Sequence, residues 1–398
     1  MSGAAGVLAL DPYVRDWADL LLRWLHVIAA IAWIGTSFYF VLLDQSLRPP
    51  KKAGDEEAGV GGELWEVHGG GFYHVQKYKV APQRLPQHLA WFKWEAYTTW
   101  LSGFGLLIVL YYIDARANLV DPTVADLSTG EAVAISVGLL AAAWIVYDLL
   151  CRILRRHELW LGACILGLTT LAAWGTSQLF APRAAFLQVG AMLGTIMAAN
   201  VLFVIIPAHK DLIRTKEAGD EADARPLRAA KQRSVHNNYL TLPVLLTMLA
   251  GHFTVLFTAN RAWLVLVALM LLGAWARLFF NLRHAGDTHW WMPVAWGVAV
   301  VLLAIAVKPR NQTAAATPAD VAAGKKVFAT AGCTGCHTLA DAGSTGDVGP
   351  NLDATKPSEA LVLERVTNGL GGMPSFHATL SQAQIQAVAA YVSSVAGK

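Results

Sequence analysis

Long apolar stretches alternate with short polar connections over the first three quarters of the chain. They lie near residues 17–43, 96–113, 131–150, 159–180, 184–206, 239–259, 262–280 and 290–307. About twenty helical residues suffice to cross the roughly 30 Å hydrocarbon core of a bilayer. The pattern therefore predicts an all-α fold, in which a polytopic membrane bundle of about eight helices precedes the remaining residues.

Basic residues occupy alternate loops of this predicted bundle. The loops after the first, third and fifth stretches contain Arg48, Lys51, Lys52, Lys77, Lys79, Arg84 and Lys93, then Arg152, Arg155 and Arg156, then Lys210, Arg214, Lys216, Arg225, Arg228, Lys231 and Arg233. The opposite loops carry only Arg116, Arg183 and Arg261. By the positive-inside rule the basic loops are cytoplasmic and both termini lie outside. Loss of one span, such as the short second one, would reverse the side of the C-terminal tail.

The composition agrees with a membrane protein. Hydrophobic residues make up 55% of the chain and charged residues 15%, whereas soluble domains carry about 25% charged residues. The 15 tryptophans fit the same class, because Trp collects at membrane interfaces. The first apolar run is too long for a cleaved signal segment and is expected to be a retained span. The net charge of +3 gives no indication of a nucleic-acid partner.

The pattern changes after the last apolar stretch. Residues 311–319 (NQTAAATPA) are small and polar and include a proline, which is typical of a linker. We therefore predict a membrane domain over residues 1–310, a linker over 311–319 and a small soluble helical domain over 320–398.

The soluble domain contains the attachment motif for a c-type haem, Cys333-Thr334-Gly335-Cys336-His337. Two thiols one turn apart can bond the haem vinyl groups, and the adjacent imidazole can ligate the iron. A redox or zinc CxxC pair is the alternative. Haem c is attached outside the bacterial cytoplasm, in agreement with the loop charges, so the sequence predicts an inner-membrane protein with a periplasmic cytochrome domain.

The second axial ligand is expected in Gly371-Gly372-Met373-Pro374. The glycines allow close approach of the backbone, and the Met373 thioether can bind iron, which raises the reduction potential. Met373 as an ordinary core residue and His377 as the ligand are the alternatives. Residues 322–330, the Gly349–Leu352 loop and a final helix capped by Ser381 complete the pattern of a small class I cytochrome c.

Two histidines are predicted at matched depth within the bundle. His26 and His252 each lie eight or nine residues from the outer ends of their spans, or about 12–14 Å deep. Such a pair could ligate a b-type haem between two helices, with Arg23 beside a propionate. The alternative is two separate histidines, each hydrogen-bonded within the bundle.

Polar and aromatic residues gather at the predicted cytoplasmic ends of the spans, in Trp65–Tyr73, Trp91–Glu95 and Arg233–Tyr239. Trp65–Tyr73 includes His68-Gly69-Gly70-Gly71, a sequence that suggests close approach of the backbone. We interpret Arg233–Tyr239, with His236-Asn237-Asn238-Tyr239, as a helix start that offers a base, amides and a phenol. These features favour a substrate site, although interfacial anchors and solvated loop histidines are the ordinary alternative.

Several of these blocks resemble the bacterial membrane-bound urate hydroxylase (urate oxidase) family. The resemblance rests on Leu22–His26, Trp33–Gly35, Trp65–Tyr73, Trp91–Gly103 and Arg233–Leu246, and on the domain order. It covers nearly the whole chain. It implies urate as substrate, hydroxylation to 5-hydroxyisourate with oxygen from water, and electrons passed to haem c without peroxide formation.

Candidate roles follow from the chemistry of urate, a flat monoanionic purine. Histidine is the usual base near neutral pH, which makes His236 the first choice and His68 the second. Arg233 or Arg283 could hold the anion, and Asn237 or Asn238 an edge of the ring. Phe72 or Tyr73 could stack on it. The loops facing the periplasm are short and poor in such groups, so a cytoplasmic site is favoured.

Two other function classes are weighed against this one. A membrane-anchored carrier would take electrons from quinol or a partner complex, but eight spans exceed the needs of an anchor. A transporter with a redox-sensing tail would require repeats or broken helices, and none is evident. In the favoured scheme the partners are urate, membrane lipid and a downstream cytochrome or terminal oxidase.

Overall fold

The computed structural model describes residues 11–220, 223–308, 317–370, 372–376 and 379–398. The chain divides into two compact units, Met1–Lys308 and Pro309–Lys398. Most of the predicted linker, residues 311–316, and the alternative ligand His377 lie outside the described residues.

The first unit is built mainly from helices. Their bounds are α1 Pro12–Ser46, α2 Trp94–Leu107, α3 Ala115–Asn118, α4 Thr129–Ile153, α5 Glu158–Ser177, α6 Pro182–Ala199, α7 Ile206–Glu217, α8 Ala224–Ala250, α9 Thr254–Phe257, α10 Ala262–His284 and α11 Trp291–Val307. Two π-helical segments interrupt this pattern: Ile108–Tyr112 continues α2, and Asn200–Ile205 joins α6 to α7. Such segments shift the direction of the side chains that follow them and are frequent at functional sites.

Five helices in the described part of the chain are long and apolar enough to cross a membrane. These are Tyr13–Ser46, Thr129–Ile153, Glu158–Ser177, the continuous Pro182–Glu217 and Ala262–His284, and Trp291–Val307 is a shorter apolar helix. The mostly helical, membrane-type architecture agrees with the sequence analysis. Helices also occur at the remaining predicted positions, but the count of eight spans stays a prediction.

A β-hairpin was not anticipated by the all-α prediction. Strands β1 (Val60–His68) and β2 (Gly71–Tyr78) pair antiparallel, with His68 opposite Gly71. Gly69 and Gly70 have φ values of 59° and 82°, as a two-residue type I′ turn requires. An added Cβ at either glycine would meet nothing within 4 Å. The glycines therefore serve the turn, and the close backbone approach inferred from the sequence stays a prediction.

Helix α6 forms the centre of the first unit. Its side chains Phe186, Val189, Leu193 and Ile196 are buried together with residues of α4, α5, α8 and α10. Gly190 permits a close crossing of α6 and α8, because a Cβ at this position would overlap the side chain of Thr247. The outer helix α11 instead buries only Met292, as expected of a helix whose apolar side chains face lipid.

The second unit is a small helical domain with helices α12 (Pro318–Thr330), α13 (Leu352–Thr355), α14 (Glu359–Asn368) and α15 (Gln382–Val395) and a short ladder of β3 (Thr338–Leu339) with β4 (Ser344–Thr345). Ser381 caps α15 in a capping box, as predicted. Its predicted face of Ile385, Val388, Ala389 and Val392 is buried. Helix α12 crosses α15 at Gly324, where a Cβ would overlap the carbonyl oxygen of Ala387.

Candidate functional site

Cys333 begins a short 3-10 turn, Cys333–Gly335, and Cys336 follows directly as its C-terminal cap. Both are free thiols; Cys333 is partly buried and Cys336 is exposed. The described ranges contain no group of three or more His, Cys, Asp or Glu residues arranged to hold a metal ion. The further ligands that a structural zinc site needs are therefore not found beside this pair.

The His337 ring is held in one orientation by the backbone. Its Nδ1 lies 2.9 Å from the carbonyl oxygen of Pro350, and because a carbonyl only accepts, Nδ1 carries the proton. This leaves the Nε2 lone pair for a metal, the arrangement that metal-bound histidines usually show. Gly349 lies against the ring, since an added Cβ would be 2.5 Å from Cε1.

The loop that carries Met373 is a tight turn. Leu370 and Met373 exchange two backbone hydrogen bonds of 3.0 Å each. Gly369, with φ 70°, lies so close that a Cβ would be 2.6 Å from the carbonyl oxygen of Met373. Met373 is partly buried against the apolar core of the domain. The free thiols, the carbonyl-bound imidazole and the thioether together fit a covalently attached haem with His and Met ligation.

A cavity of about 380 Å³ lies inside the first unit, between α1, α2, α6 and α8, and is termed the histidine cavity. It is lined by both predicted histidines, His26 and His252, and by Arg23 and Arg183. Arg23 also pairs with Asp19 at 2.6 Å. The sequence placed Arg183 only among the basic residues of the short outer loops.

His26 is oriented in the same manner as His337. Its Nδ1 lies 2.9 Å from the carbonyl oxygen of Thr99, so this nitrogen is the donor and Nε2 keeps its lone pair. Gly103 supports the ring, because a Cβ there would be 2.8 Å from Cε1. His252 directly follows Gly251, the C-terminal cap of α8.

A second cavity, of about 410 Å³, lies between α1, α7 and α8 and is termed the aromatic cavity. Its aromatic lining comes from Trp33, Phe40, Trp91 and Phe92, and its polar lining includes Ser37, His209, Ser234 and Asn237. Trp33, Ile34, Met197 and Thr241 line both this cavity and the histidine cavity. The two spaces are therefore neighbours that share a wall.

The predicted catalytic residues do not converge on one point. Asn237 lines the aromatic cavity, whereas Arg233 lines a separate cavity of about 850 Å³ together with Arg152, Lys210 and Arg214, the basic cavity. His68 ends β1 at the hairpin turn. The His236–Tyr239 block lies within α8 and not at a helix start, because α8 begins at Ala224.

His236 belongs to a buried hydrogen-bond network that the sequence did not reveal. Its Nδ1 lies 2.8 Å from the Tyr147 hydroxyl, and its Nε2 is 3.9 Å from Glu158. The Asn200 amide donates both to that hydroxyl, at 3.1 Å, and to Oδ1 of Asn237, at 2.8 Å. The network thus connects His236 to Asn237 through two side chains.

Arg233 is anchored beside this network and is 3% exposed. It donates to Asp148 at 2.6 Å, and its guanidinium carbon lies 4.9 Å from the centre of the Tyr147 ring. Its Nε and Nη1 are buried without a partner among the described residues. One feature of the sequence could have indicated this network. Polar groups inside an apolar span are costly and are often functional, and this applies to Tyr147, Asp148 and Asn200.

The attachment motif, the oriented His337 ring and the Met373 loop are features of a c-type cytochrome domain, which here follows a unit of apolar helices. Residues 319–392 match the family described as cytochrome c oxidase, cbb3-type, subunit III. Residues 12–308 match the family described as urate oxidase N-terminal. Because this match covers most of the chain, the chain belongs to that family, and the resemblance noted from the sequence is confirmed.

The similar proteins match this chain over its cytochrome domain. Cytochrome c6 of Picosynechococcus sp. is 45% identical over 86 residues, which are 19% of this chain and 72% of that protein. Cytochrome c6 of Leptolyngbya boryana is 41% identical over 78 residues, 19% of this chain and 91% of that protein. The c-type cytochrome SorU from Sinorhizobium meliloti, a solved structure, shows 48% identity, a TM-score of 0.20, and coverage of 20% of this chain and 94% of that chain.

Proposed function

We propose that the protein oxidises urate to 5-hydroxyisourate in its first unit and passes the electrons to a haem c held by its second unit. The supporting observation is the joining, in one chain, of a urate oxidase-family unit with a cytochrome c domain. Urate and one water give 5-hydroxyisourate, two protons and two electrons. Oxygen thus comes from water, and no peroxide is formed.

Cys333 and Cys336 would hold the haem c through thioether bonds, and His337 and Met373 would bind its iron. When bound, this haem accepts one electron at a time, so each urate requires two transfers. The hydrogen bond from His337 to Pro350 keeps the imidazole oriented. The two backbone hydrogen bonds between Leu370 and Met373 hold the loop that carries the thioether.

A b-type haem in the histidine cavity is the second cofactor of the proposal, with His26 and His252 as ligands. The cavity, the carbonyl-bound His26 ring and the supporting Gly103 argue for it. Arg23 and Arg183 would pair with the propionates. Such a centre would connect a cytoplasmic urate site to a periplasmic cytochrome across the bilayer core.

The test of this second cofactor is a pyridine haemochrome spectrum of the purified full-length chain. Wild type is expected to contain b-type and c-type haem. His26→Ala should lose the b signal and keep the c signal, and Gly138→Ala, whose Cβ would meet nothing within 4 Å, should keep both. A wild-type spectrum with c-type haem alone would refute the relay.

The roles of the other predicted residues are part of the proposal. Asn237, which lines the aromatic cavity, would bind an edge of the purine. Arg233 has two unpartnered buried donors that suit an anion. His236 would act on the cavity through Tyr147, Asn200 and Asn237, and His68 is the alternative base from the hairpin.

The proposed setting is the bacterial inner membrane, with about eight spans, both termini outside and the cytochrome domain in the periplasm. There the haem c would be reoxidised by a downstream cytochrome or terminal oxidase. The apolar helices and the alternating basic loops support this arrangement.

The deciding experiment uses the full-length protein in detergent, oxidised and without oxygen. Addition of urate, but not xanthine, should produce the absorption band of reduced c-type haem with a stoichiometry of two electrons per urate. Reduction by quinol with no response to urate would replace the enzyme with a membrane-anchored electron carrier.

A further inference from the structure

We infer that the aromatic cavity is the purine site and that His209 is the base that removes the ring proton of the substrate. This assignment rests on the proposed oxidation of urate and gives the reaction a location. It also differs from the sequence-based choice of His236, and the two alternatives are separable by experiment.

The shape and lining of the aromatic cavity suit a flat purine. Its volume of about 410 Å³ lies in the usual range for small-molecule sites, which combine apolar walls with a few polar groups. Trp91, Phe92 and Phe40 supply aromatic faces and edges, and the Phe40 and Phe92 rings are 5.0 Å apart in an edge-to-face arrangement. Aromatic rings in this setting can stack on a planar ligand.

A positive charge lies at the aromatic wall. The Lys93 ammonium is 5.4 Å from the centre of the Trp91 ring, which lines the cavity. Urate is a monoanion near neutral pH, so this charge favours its binding. Ser234 and Asn237 supply hydroxyl and amide groups for the edges of the ring.

His209 is an exposed residue that lines the same cavity. Its Nδ1 lies 2.7 Å from the carbonyl oxygen of Ile205, so Nδ1 carries the proton in the neutral ring. The lone pair is then on Nε2, as in His337 and His26. Because His209 lines the aromatic cavity, we expect its side chain to contact a purine bound there.

His236 is held differently. Both of its nitrogens have neighbours outside the aromatic cavity, the Tyr147 hydroxyl at 2.8 Å and Glu158 at 3.9 Å. Among the described residues that line the aromatic cavity, α8 contributes Ser234, Asn237 and Thr241 instead. Geometry thus favours His209 as the residue in direct contact with substrate.

The local backbone explains why His209 is turned toward α1 and α8. The π-helical segment Asn200–Ile205 immediately precedes α7, and the extra residue per turn rotates the following side chains. Helix α7 as a result separates the two cavities: Ile206 and His209 face the aromatic cavity, and Pro207 and Lys210 face the basic cavity.

The reaction balances at this location. Nε2 of His209 takes a proton from a ring N–H as two electrons leave the purine. Water then adds to the oxidised carbon and releases the second proton, to give 5-hydroxyisourate. The two electrons would pass, one at a time, to the haem c of the proposed function by way of the wall of Trp33, Met197 and Thr241 that is shared with the histidine cavity.

The test compares His209→Gln with His236→Gln and with His157→Gln, an exposed histidine at the start of α5, in the full-length protein. The rate at which urate reduces the oxidised haem c should fall roughly 100-fold or more in His209→Gln, the loss typical of a missing general base. It should change less than threefold in His157→Gln. Added imidazole should restore part of the rate in His209→Gln only.

Dithionite reduction of each variant reports an intact haem c and separates lost catalysis from lost folding. As a second probe, Ser234→Trp should fill the aromatic cavity and raise the urate KM at least tenfold. Wild-type rates in both His209→Gln and Ser234→Trp would overturn the assignment while urate oxidation by the wild type stands. A large loss in His236→Gln that imidazole rescues, with His209→Gln unaffected, would overturn it in favour of His236. Failure of urate to reduce the wild type would overturn the proposed function itself.

Discussion

At the scale of single residues, both units of the chain contain the same device, a histidine ring that is held by a backbone carbonyl and a glycine. His337 and His26 each donate from Nδ1 to a backbone carbonyl, and each ring rests against a glycine, Gly349 or Gly103. The carbonyl selects the tautomer, and the glycine leaves room for the ring. Each imidazole therefore presents Nε2 in a fixed direction, which reduces the freedom lost when a ligand binds.

Gly349→Val tests this device in the cytochrome domain. A Cβ at Gly349 would be 2.5 Å from the His337 ring, so the ring must move and iron ligation must weaken. We expect covalent attachment through the cysteines to persist and the midpoint potential of haem c to change measurably in a redox titration. Gly335→Ala, where a Cβ would meet nothing within 4 Å, is the control, and an unchanged potential in Gly349→Val would contradict the role of the glycine.

Asp341 makes the stability of the cytochrome domain dependent on pH. It accepts a hydrogen bond of 2.6 Å from the Tyr391 hydroxyl and pairs with Lys325 at 3.0 Å. These partners hold the pKa of Asp341 below its ordinary value. A depressed carboxyl pKa adds stability above the unfolded value, about 3.9, and this stability is lost as pH falls through the folded pKa.

We therefore expect Asp341→Asn to lower the unfolding temperature of the domain at pH 7 and to reduce its decline in acid. Unfolding followed by the haem absorption band between pH 3 and pH 7 measures both effects. If the unfolding temperatures of the variant and the wild type fall in parallel as the pH is lowered, Asp341 does not contribute to the pH dependence of stability. Burial first, and then the bond to Asp341, raise the pKa of Tyr391, so this pair should lose stability again only in strong alkali.

At the scale of elements, much of the fold follows from local patterns. The apolar stretches predicted the long helices, and Ser381 and the face from Ile385 to Val392 predicted α15. The hairpin of β1 and β2 was missed, although Gly69-Gly70 between aromatic residues is a turn signal. The π-helical segments were also missed, because one extra residue in a turn leaves the apolar pattern nearly unchanged.

The candidate sites were predicted unequally for a related reason. The haem c motif is local in sequence, so five adjacent residues were enough to place it. The aromatic cavity draws on α1, α7, α8 and the loop before α2, and such a set is visible only after folding. His209, beyond the end of an apolar stretch, had the pattern of a solvated histidine.

The crossing of α12 and α15 offers a test at this scale. Gly324→Ala would place a methyl group against the Ala387 carbonyl, and the helices must separate. Overpacking of this kind costs about 1–3 kcal/mol. Unfolding of the full-length protein in denaturant is followed by the haem absorption band. Gly324→Ala should have a lower midpoint denaturant concentration than Gly335→Ala. Equal midpoints would show that the two helices separate without loss of stability.

At the scale of the whole molecule, a urate oxidase-family unit and a cytochrome c domain share one chain. Under the proposed function, each chain would therefore carry its own electron acceptor, in a ratio of one to one. The described part of the first unit contains five helices that are long and apolar enough to cross a membrane, and the alternating basic loops predict the side on which the second unit lies.

Protease treatment of oriented vesicles checks that side. In right-side-out spheroplasts the haem-containing fragment should be released by an added protease, while the basic loop between α7 and α8 should be cut only in inverted vesicles. Release of the haem fragment from inverted vesicles alone would mean that one of the predicted spans does not cross the membrane.

The indole of Trp33 borders two compartments at once. A substitution of Trp33 by a smaller side chain will therefore change the shape of both the aromatic cavity and the histidine cavity. If the aromatic cavity binds the purine and the histidine cavity carries its electrons, as proposed, then purine selectivity and the rate of electron removal should change together. Variants at Trp33 that are selected only for a new substrate should therefore also change in the rate of electron transfer from substrate to haem, although that rate was not selected.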